Sequence, residues 1–334
     1  MSRRNTAGRR ATPLAGSPFR LGLATLLAAC AGATTRTAQP TNVTHESPPD
    51  ASVDAGEPAP TPAVRASSPA AATPRAPGTT IVGPQRGTLL VVGGGLLGSE
   101  ILSRFVQLAG GPDARIVVLP GAGEEDTFPA DWSGYQPLWK AGARNVTILH
   151  TRDRRVADRE DFVAPLREAR GVWIPGGRQW KLADAYLGTR TQREIRAVLE
   201  RGGVVAGTSA GATILGAYLV RGAPAGNTIV MSPGHEEGFG FLRDVAIDQH
   251  VLVRHRENDL ALVLAAHPRL LGVGPDEGTA LEVHGDTATV LGRSRVVVYD
   301  GREHAAGEQE AKPYFFLDPG DVYDLAARRL ISKA

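Results

Sequence analysis

Val204-Val205-Ala206-Gly207-Thr208-Ser209-Ala210-Gly211-Ala212-Thr213 is an apolar run that passes through Gly-x-Ser-x-Gly into a stretch suited to a helix. Strand, sharp turn and helix are the context a nucleophile elbow requires. Gly207 and Gly211 bring no side chain to clash as the turn closes, which leaves Ser209 exposed at the carboxyl edge of a sheet. The Ala210 N–H, at the helix start, is then available to an oxyanion. A serine that only caps the helix satisfies the same pattern, so the motif by itself leaves both readings open.

Outward from this stretch, short β-branched runs alternate with helical ones. Thr88 to Val92, Arg115 to Leu119, Asn145 to Leu149, Gly171 to Ile174 and Val204 to Ala206 have the texture of buried parallel strands. Between them, Ile101, Leu102, Phe105, Val106 and Leu108 recur at helical spacing over Ser99 to Ala109. Thr191 with Glu194 predicts a capping box, Ile195, Val198 and Leu199 a buried stripe, and Gly202 a helix end. The alternation predicts an α/β fold: a doubly wound, mostly parallel sheet with helices on both faces. After about Leu270 the pattern shortens to alternating runs with Gly-Asp and Gly-Arg turns, which predicts antiparallel edge strands from the C-terminal part.

Gly93-Gly94-Gly95-Leu96-Leu97-Gly98 follows the first strand and satisfies G-x-G-x-x-G. A dinucleotide site also needs an acid at the end of the second strand. That strand ends Leu119-Pro120-Gly121-Ala122-Gly123, so a tight strand-to-helix turn is the better reading.

A serine nucleophile needs a base and a group that orients it. Downstream come Ala246-Ile247-Asp248-Gln249-His250, then an apolar strand ending Asp276-Glu277-Gly278-Thr279-Ala280. The order Ser, His, Glu differs from that of α/β-hydrolases, which disfavours a lipase or esterase. Gly176-Gly177-Arg178-Gln179, the serine motif, Asp248-Gln249-His250, Arg254-x-Arg256 and Asp276-Glu277-Gly278-Thr279-Ala280 together resemble the cyanophycinase family of serine exopeptidases, in the same order and from about Thr88 to Val298. The resemblance implies a fold like class I glutamine amidotransferases, with serine replacing their cysteine. It implies Ser209 as nucleophile, His250 as base and Glu277 as the acid orienting it. Gln179, Asp248, Gln249, Arg254 and Arg256 match residues that line the family's substrate pocket, and Gly177 becomes a second oxyanion donor beside Ala210. Cyanophycinases cleave a poly-aspartate polymer decorated with arginine, and their relatives include peptidases for dipeptides with N-terminal aspartate.

One position departs from the family. Where Arg-x-Arg-x-x-Arg is usual, this chain has Arg254-His255-Arg256-Glu257-Asn258-Asp259. Asp259 is expected either to pair with Arg256 on a solvated helix start or to face the pocket. The remaining histidines lack metal-ligand spacing, and Trp132, Trp139, Trp173 and Trp180 suit core or pocket wall. The sequence implies no metal and no cofactor.

The N-terminus has its own chemistry. Residues 1–29 carry five arginines and no acid, and end in a nine-residue apolar run from Leu21 to Ala29. A membrane span needs about 20, so this is an export signal. Leu27-Ala28-Ala29-Cys30 resembles a bacterial lipobox, which implies lipidation of Cys30 and a membrane-anchored protein of the bacterial envelope, or a secreted one if it is cleaved without lipid. Residues 30–80, rich in Ala, Thr and Pro, cannot bury enough surface to fold and are expected to tether a single peptidase domain, 81–334. Without the signal arginines the formal charge falls from +2 to −3, so no nucleic-acid partner is implied. One cysteine excludes a disulfide framework.

The reading that follows is a serine exopeptidase for aspartyl or isoaspartyl peptides. An amidase of the same fold acting on another small amide, and a non-catalytic surface binding protein, are the alternatives. The sequence leaves open whether the domain is a monomer or a homodimer.

Overall fold

Strand β1 (Thr88–Val92) sends Leu89 and Val91 to one face of a sheet and Leu90 and Val92 to the other, as period-two alternation dictates. All five of its residues are buried, so both faces must be covered. The computed structural model describes residues 81–300 and 314–334. The expected signal sequence of 1–29, Cys30 and the expected tether of 30–80 lie outside the described residues.

Strands β2 (Arg115–Val118), β3 (Asn145–Ile148), β4 (Gly171–Ile174) and β5 (Val204–Thr208) join β1 in the parallel order β1-β5-β4-β2-β3. Helices α1 (Ser99–Ala109) and α2 (Gln136–Lys140) cover the face of Leu90, Ile116, Trp173 and Ala206. Helices α4 (Glu160–Glu168), α5 (Gln179–Tyr186), α6 (Arg190–Glu200) and the short α7 (Ala210–Thr213) contribute Val163, Leu182, Ile195 and Ala212 to the other face; α3 (Arg154–Ala157) precedes them. The predicted doubly wound α/β sheet is present. Strand β3, expected to be buried, is the sheet edge and is exposed or half-buried throughout.

On the far side of β1, β9 (Thr279–His284), β10 (Thr287–Gly292), β13 (Val322–Asp324) and β14 (Arg329–Ser332) extend the sheet antiparallel to nine strands. These are the expected C-terminal edge strands. A second, five-stranded sheet was not foreseen. It contains β6 (Gly216–Tyr218), β7 (Leu242–Ile247) and β8 (Leu271–Pro275) in parallel, with β11 (Val296–Asp300) and β12 (Phe315–Leu317) antiparallel. One face buries Val245, Ile247, Val273 and Val298 in the cluster beneath α4–α7, and the other packs Ala246, Val297 and Tyr299 with Leu260 and Val263 of α8 (Asp259–Ala266). An apolar strand carries the same pattern whichever sheet it joins, so the sequence could not assign it.

Helix α6 corrects a local expectation. Its N-cap is Thr189, with no side-chain capping bond. Thr191 is buried and its hydroxyl donates to the Ala157 carbonyl at 2.7 Å, while Glu194 pairs with Arg167 at 3.3 Å. Packing against α3 takes the hydroxyl that a capping box would need. The predicted helix end at Gly202 holds, with φ +81° and its N–H on the Leu199 carbonyl.

Candidate active site

Ser209 stands at the carboxyl end of β5 with φ 56° and ψ −117°, a strained conformation for a residue with a side chain. Its environment fixes it there. The Ser209 N–H donates to the Val92 carbonyl of β1, and the Ser209 carbonyl accepts from Ala212 and Thr213. A Cβ at Gly207 would lie 2.0 Å from the Gly211 carbonyl oxygen, and one at Gly211 would lie 2.0 Å from that of Ile174. Both glycines are therefore required for the turn to close.

The second sheet supplies the partners. His250 follows β7 and Glu277 follows β8, adjacent strands of that sheet. The Ser209 hydroxyl lies 2.8 Å from His250 Nε2, and His250 Nδ1 lies 2.5 Å from Glu277 Oε1. An ionised carboxylate only accepts hydrogen bonds, so Nδ1 carries the proton and Nε2 accepts from the serine. Burial pushes the imidazole below the ordinary histidine value; the Glu277 hydrogen bond opposes this, and the charges of Arg254 and Arg256 add to it. The two acids that end β8 divide their work. Asp276 Oδ1 accepts from the N–H groups of Leu252 and Val253, and its Oδ2 from the Ser294 hydroxyl, so Asp276 holds the turn after His250 while Glu277 faces the ring.

The glycine run after β1 has a role that sequence reasoning missed. The Gly93 carbonyl accepts from the His250 N–H, and the Gly94 carbonyl from the Gly278 N–H. A Cβ at Gly94 would come within 2.3 Å of His250 Cε1, and one at Gly95 within 2.3 Å of Glu277 Oε2. These residues are glycines because the imidazole and carboxylate occupy that space.

Of the expected oxyanion donors, Ala210 opens α7, where the first N–H groups have no helical acceptor. Gly177 has φ +140°, and neighbouring Gly176 is so close that its Cβ would stand 3.4 Å from the Ser209 hydroxyl. Among the described residues, no hydrogen bond takes up the Gly177 N–H.

The expected pocket residues divide by burial. Gln179 is buried and donates through Nε2 to the Val220 carbonyl at 2.8 Å. Asp248 is fully buried and is gripped by Arg221, Nε to Oδ1 at 2.9 Å and Nη2 to Oδ2 at 3.0 Å. Gln249 and Arg256 are buried together, with the guanidinium donating to the Gln249 carbonyl and Oε1. Only the Arg254 side chain is exposed. Of the two expectations for Asp259, pairing with Arg256 is not met: its carboxylate pairs with Arg221, and only its backbone N–H reaches the Arg256 carbonyl. Arg221 itself was not foreseen, because an arginine after a short strand belongs to no motif.

The sequence model of peptidase family S51 matches residues 89–291. The chain belongs to this family. It is a serine peptidase, as the cyanophycinase-like motifs implied, and the family is one of serine exopeptidases. Curated cyanophycinases resemble it across most of their length. That of Geminocystis herdmanii is 32% identical over 228 residues, 65% of this chain and 82% of its own. That of Synechococcus elongatus is 33% identical over 272 residues, 74% of this chain and 82% of its own. That of a Nostoc species is 35% identical over 224 residues, 64% and 74% respectively. The crystal structure of a peptidase from an acI-B1 Actinobacterium shares the fold, with a TM-score of 0.56 and 24% identity over 73% of this chain and 98% of its own.

Proposed function

We propose that this chain hydrolyses aspartyl or isoaspartyl peptides through Ser209, His250 and Glu277. The observation that carries the reading is the unbroken line from the Ser209 hydroxyl through the imidazole to the Glu277 carboxylate, with links of 2.8 and 2.5 Å. His250 Nε2 takes the hydroxyl proton as Ser209 Oγ attacks the scissile carbonyl, and Glu277 stabilises the imidazolium that forms. The N–H groups of Ala210 and Gly177 receive the oxyanion. The imidazolium then gives its proton to the departing amine, and water, activated by the same imidazole, hydrolyses the acyl-serine.

Arg254 is the cation open to a substrate carboxylate. Gln179, Asp248, Gln249 and Arg256 are held by one another, by Arg221 and by backbone, and they shape the wall behind it. Export and lipidation at Cys30 are proposed on the sequence alone. Incubating the purified full-length chain with α- and β-aspartyl dipeptides and with cyanophycin tests the substrate class. Release of free aspartate or of β-aspartyl-arginine supports it, and inertness toward all three contradicts it.

A further inference from the structure

An apolar cleft of about 220 Å³ adjoins the residues around Ser209 and is lined by Leu96, Leu97, Leu102, Pro137, Leu138 and Trp173. Three further lining residues tie it to the proposed triad. Thr208 precedes Ser209, Pro175 precedes Gly176 beside the serine hydroxyl, and Gly95 abuts the Glu277 carboxylate. Leu102, Leu138 and Trp173 belong to the face of the main sheet covered by α1 and α2. The strands that deliver His250 and the arginines pack on the opposite face. Ser209 therefore stands at the carboxyl end of a central strand, with the apolar cleft on the α1–α2 face of the sheet and β7 and β8 packed on the other.

No charged side chain lines the cleft. The Glu277 carboxylate beside Gly95 is engaged by His250, so a guanidinium entering the cleft would lose hydration without gaining a free partner, which is costly. An aliphatic or aromatic side chain would gain by burial. Leu96, at the rim, is 80% exposed in the free protein and is the surface such a group would cover.

We infer that this cleft is the subsite for an apolar side chain, carried by the substrate residue across the scissile amide from the carboxylate. The inference rests on the serine-peptidase reading of the site and narrows it: aspartyl-leucine or aspartyl-phenylalanine linkages are preferred over aspartyl-arginine.

Two measurements on the full-length chain test this. The first is kcat/KM for β-aspartyl-leucine against β-aspartyl-arginine. The ratio is expected to be on the order of 10 or more, and the exposed rim substitution Leu96→Asp should lower it several-fold. A ratio of one or below in the wild type overturns the inference. The second needs no turnover: Ser209 is labelled with a fluorophosphonate in the presence of leucine amide or arginine amide. Protection by leucine amide alone, lost in Leu96→Asp, supports the cleft. Labelling of Ser209 with equal protection by both amines, or by neither, overturns the cleft and leaves the serine mechanism standing. Failure of Ser209 to label at all removes the serine reading and the cleft with it. A labelling rate that falls with protein concentration and ignores both amines would mean a second copy fills the cleft, and would also overturn the inference.

Discussion

The imidazole of His250 occupies the volume that a side chain at Gly94 would need, with Cε1 only 2.3 Å from the position of an added Cβ. A methyl group there must displace the ring from Ser209, and φ +106° at Gly94 strains any replacement further. Gly94→Ala should lower kcat by about 100-fold, the scale on which an ångström of misplacement acts. Gly98→Ala, where an added Cβ meets nothing within 4 Å, should leave kcat within about twofold. Steady-state kinetics on the two variants checks this, and equal rates would contradict the packing account.

The pH profile follows from the environment of His250. In the proposed mechanism only the neutral ring can accept the serine proton, so kcat/KM should rise with pH and reach its plateau once the ring is deprotonated. Burial, with Arg254 and Arg256 adding to it, depresses that ring below the ordinary histidine value, so the acid limb should lie below it too. Arg254→Gln removes one repelling charge and should move the limb upward. The folded state binds this proton less readily than the unfolded chain. The associated stability is therefore present above the ordinary histidine value and lost as pH falls through the folded one. A limb at or above the ordinary value in the wild type would contradict the assignment.

Arg221 is expected to matter chiefly for stability. Removing it in Arg221→Met leaves Asp248, fully buried, without its two-point partner, a change that typically costs about 3–5 kcal/mol. Asp259→Arg would set a second guanidinium against Arg221 and should lower Tm without raising activity on cyanophycin. Thermal unfolding of both variants tests the pair, and an unchanged Tm in Arg221→Met would remove Arg221 from the account.

Cys30→Ser should convert a membrane-associated protein into a soluble one if the lipobox-like sequence directs lipidation. Detergent partitioning of both forms decides it. A variant still recovered with membranes would contradict the anchor.

What the sequence disclosed was chemistry written in contiguous residues. The serine turn is local: two glycines, a strand before and a helix after locate the turn, though not whether Ser209 is a nucleophile or a helix cap. His250 and Glu277 were reached through motifs and the family resemblance, since nothing local says which base meets which serine. Contacts between distant segments were not legible. The glycine run of 93–95 carried a dinucleotide-like pattern, but its function is to admit an imidazole from 156 residues beyond Gly94, a partner that only the fold brings near. Arg221 pairs with Asp248 and Asp259 across 27 and 38 residues, and no spacing rule links them. The capping box at Thr191 failed because tertiary packing claimed the hydroxyl, a competition local propensity does not register.

Turnover by Ser209→Ala on whichever aspartyl peptide the wild type cleaves tests the central claim most directly. The hydroxyl meets the rest of the protein mainly through His250, so Tm should stay within a few degrees of wild type. Loss of the proposed nucleophile should lower kcat by on the order of 10⁴-fold or more. A folded Ser209→Ala variant that turned over at the wild-type rate would contradict the account.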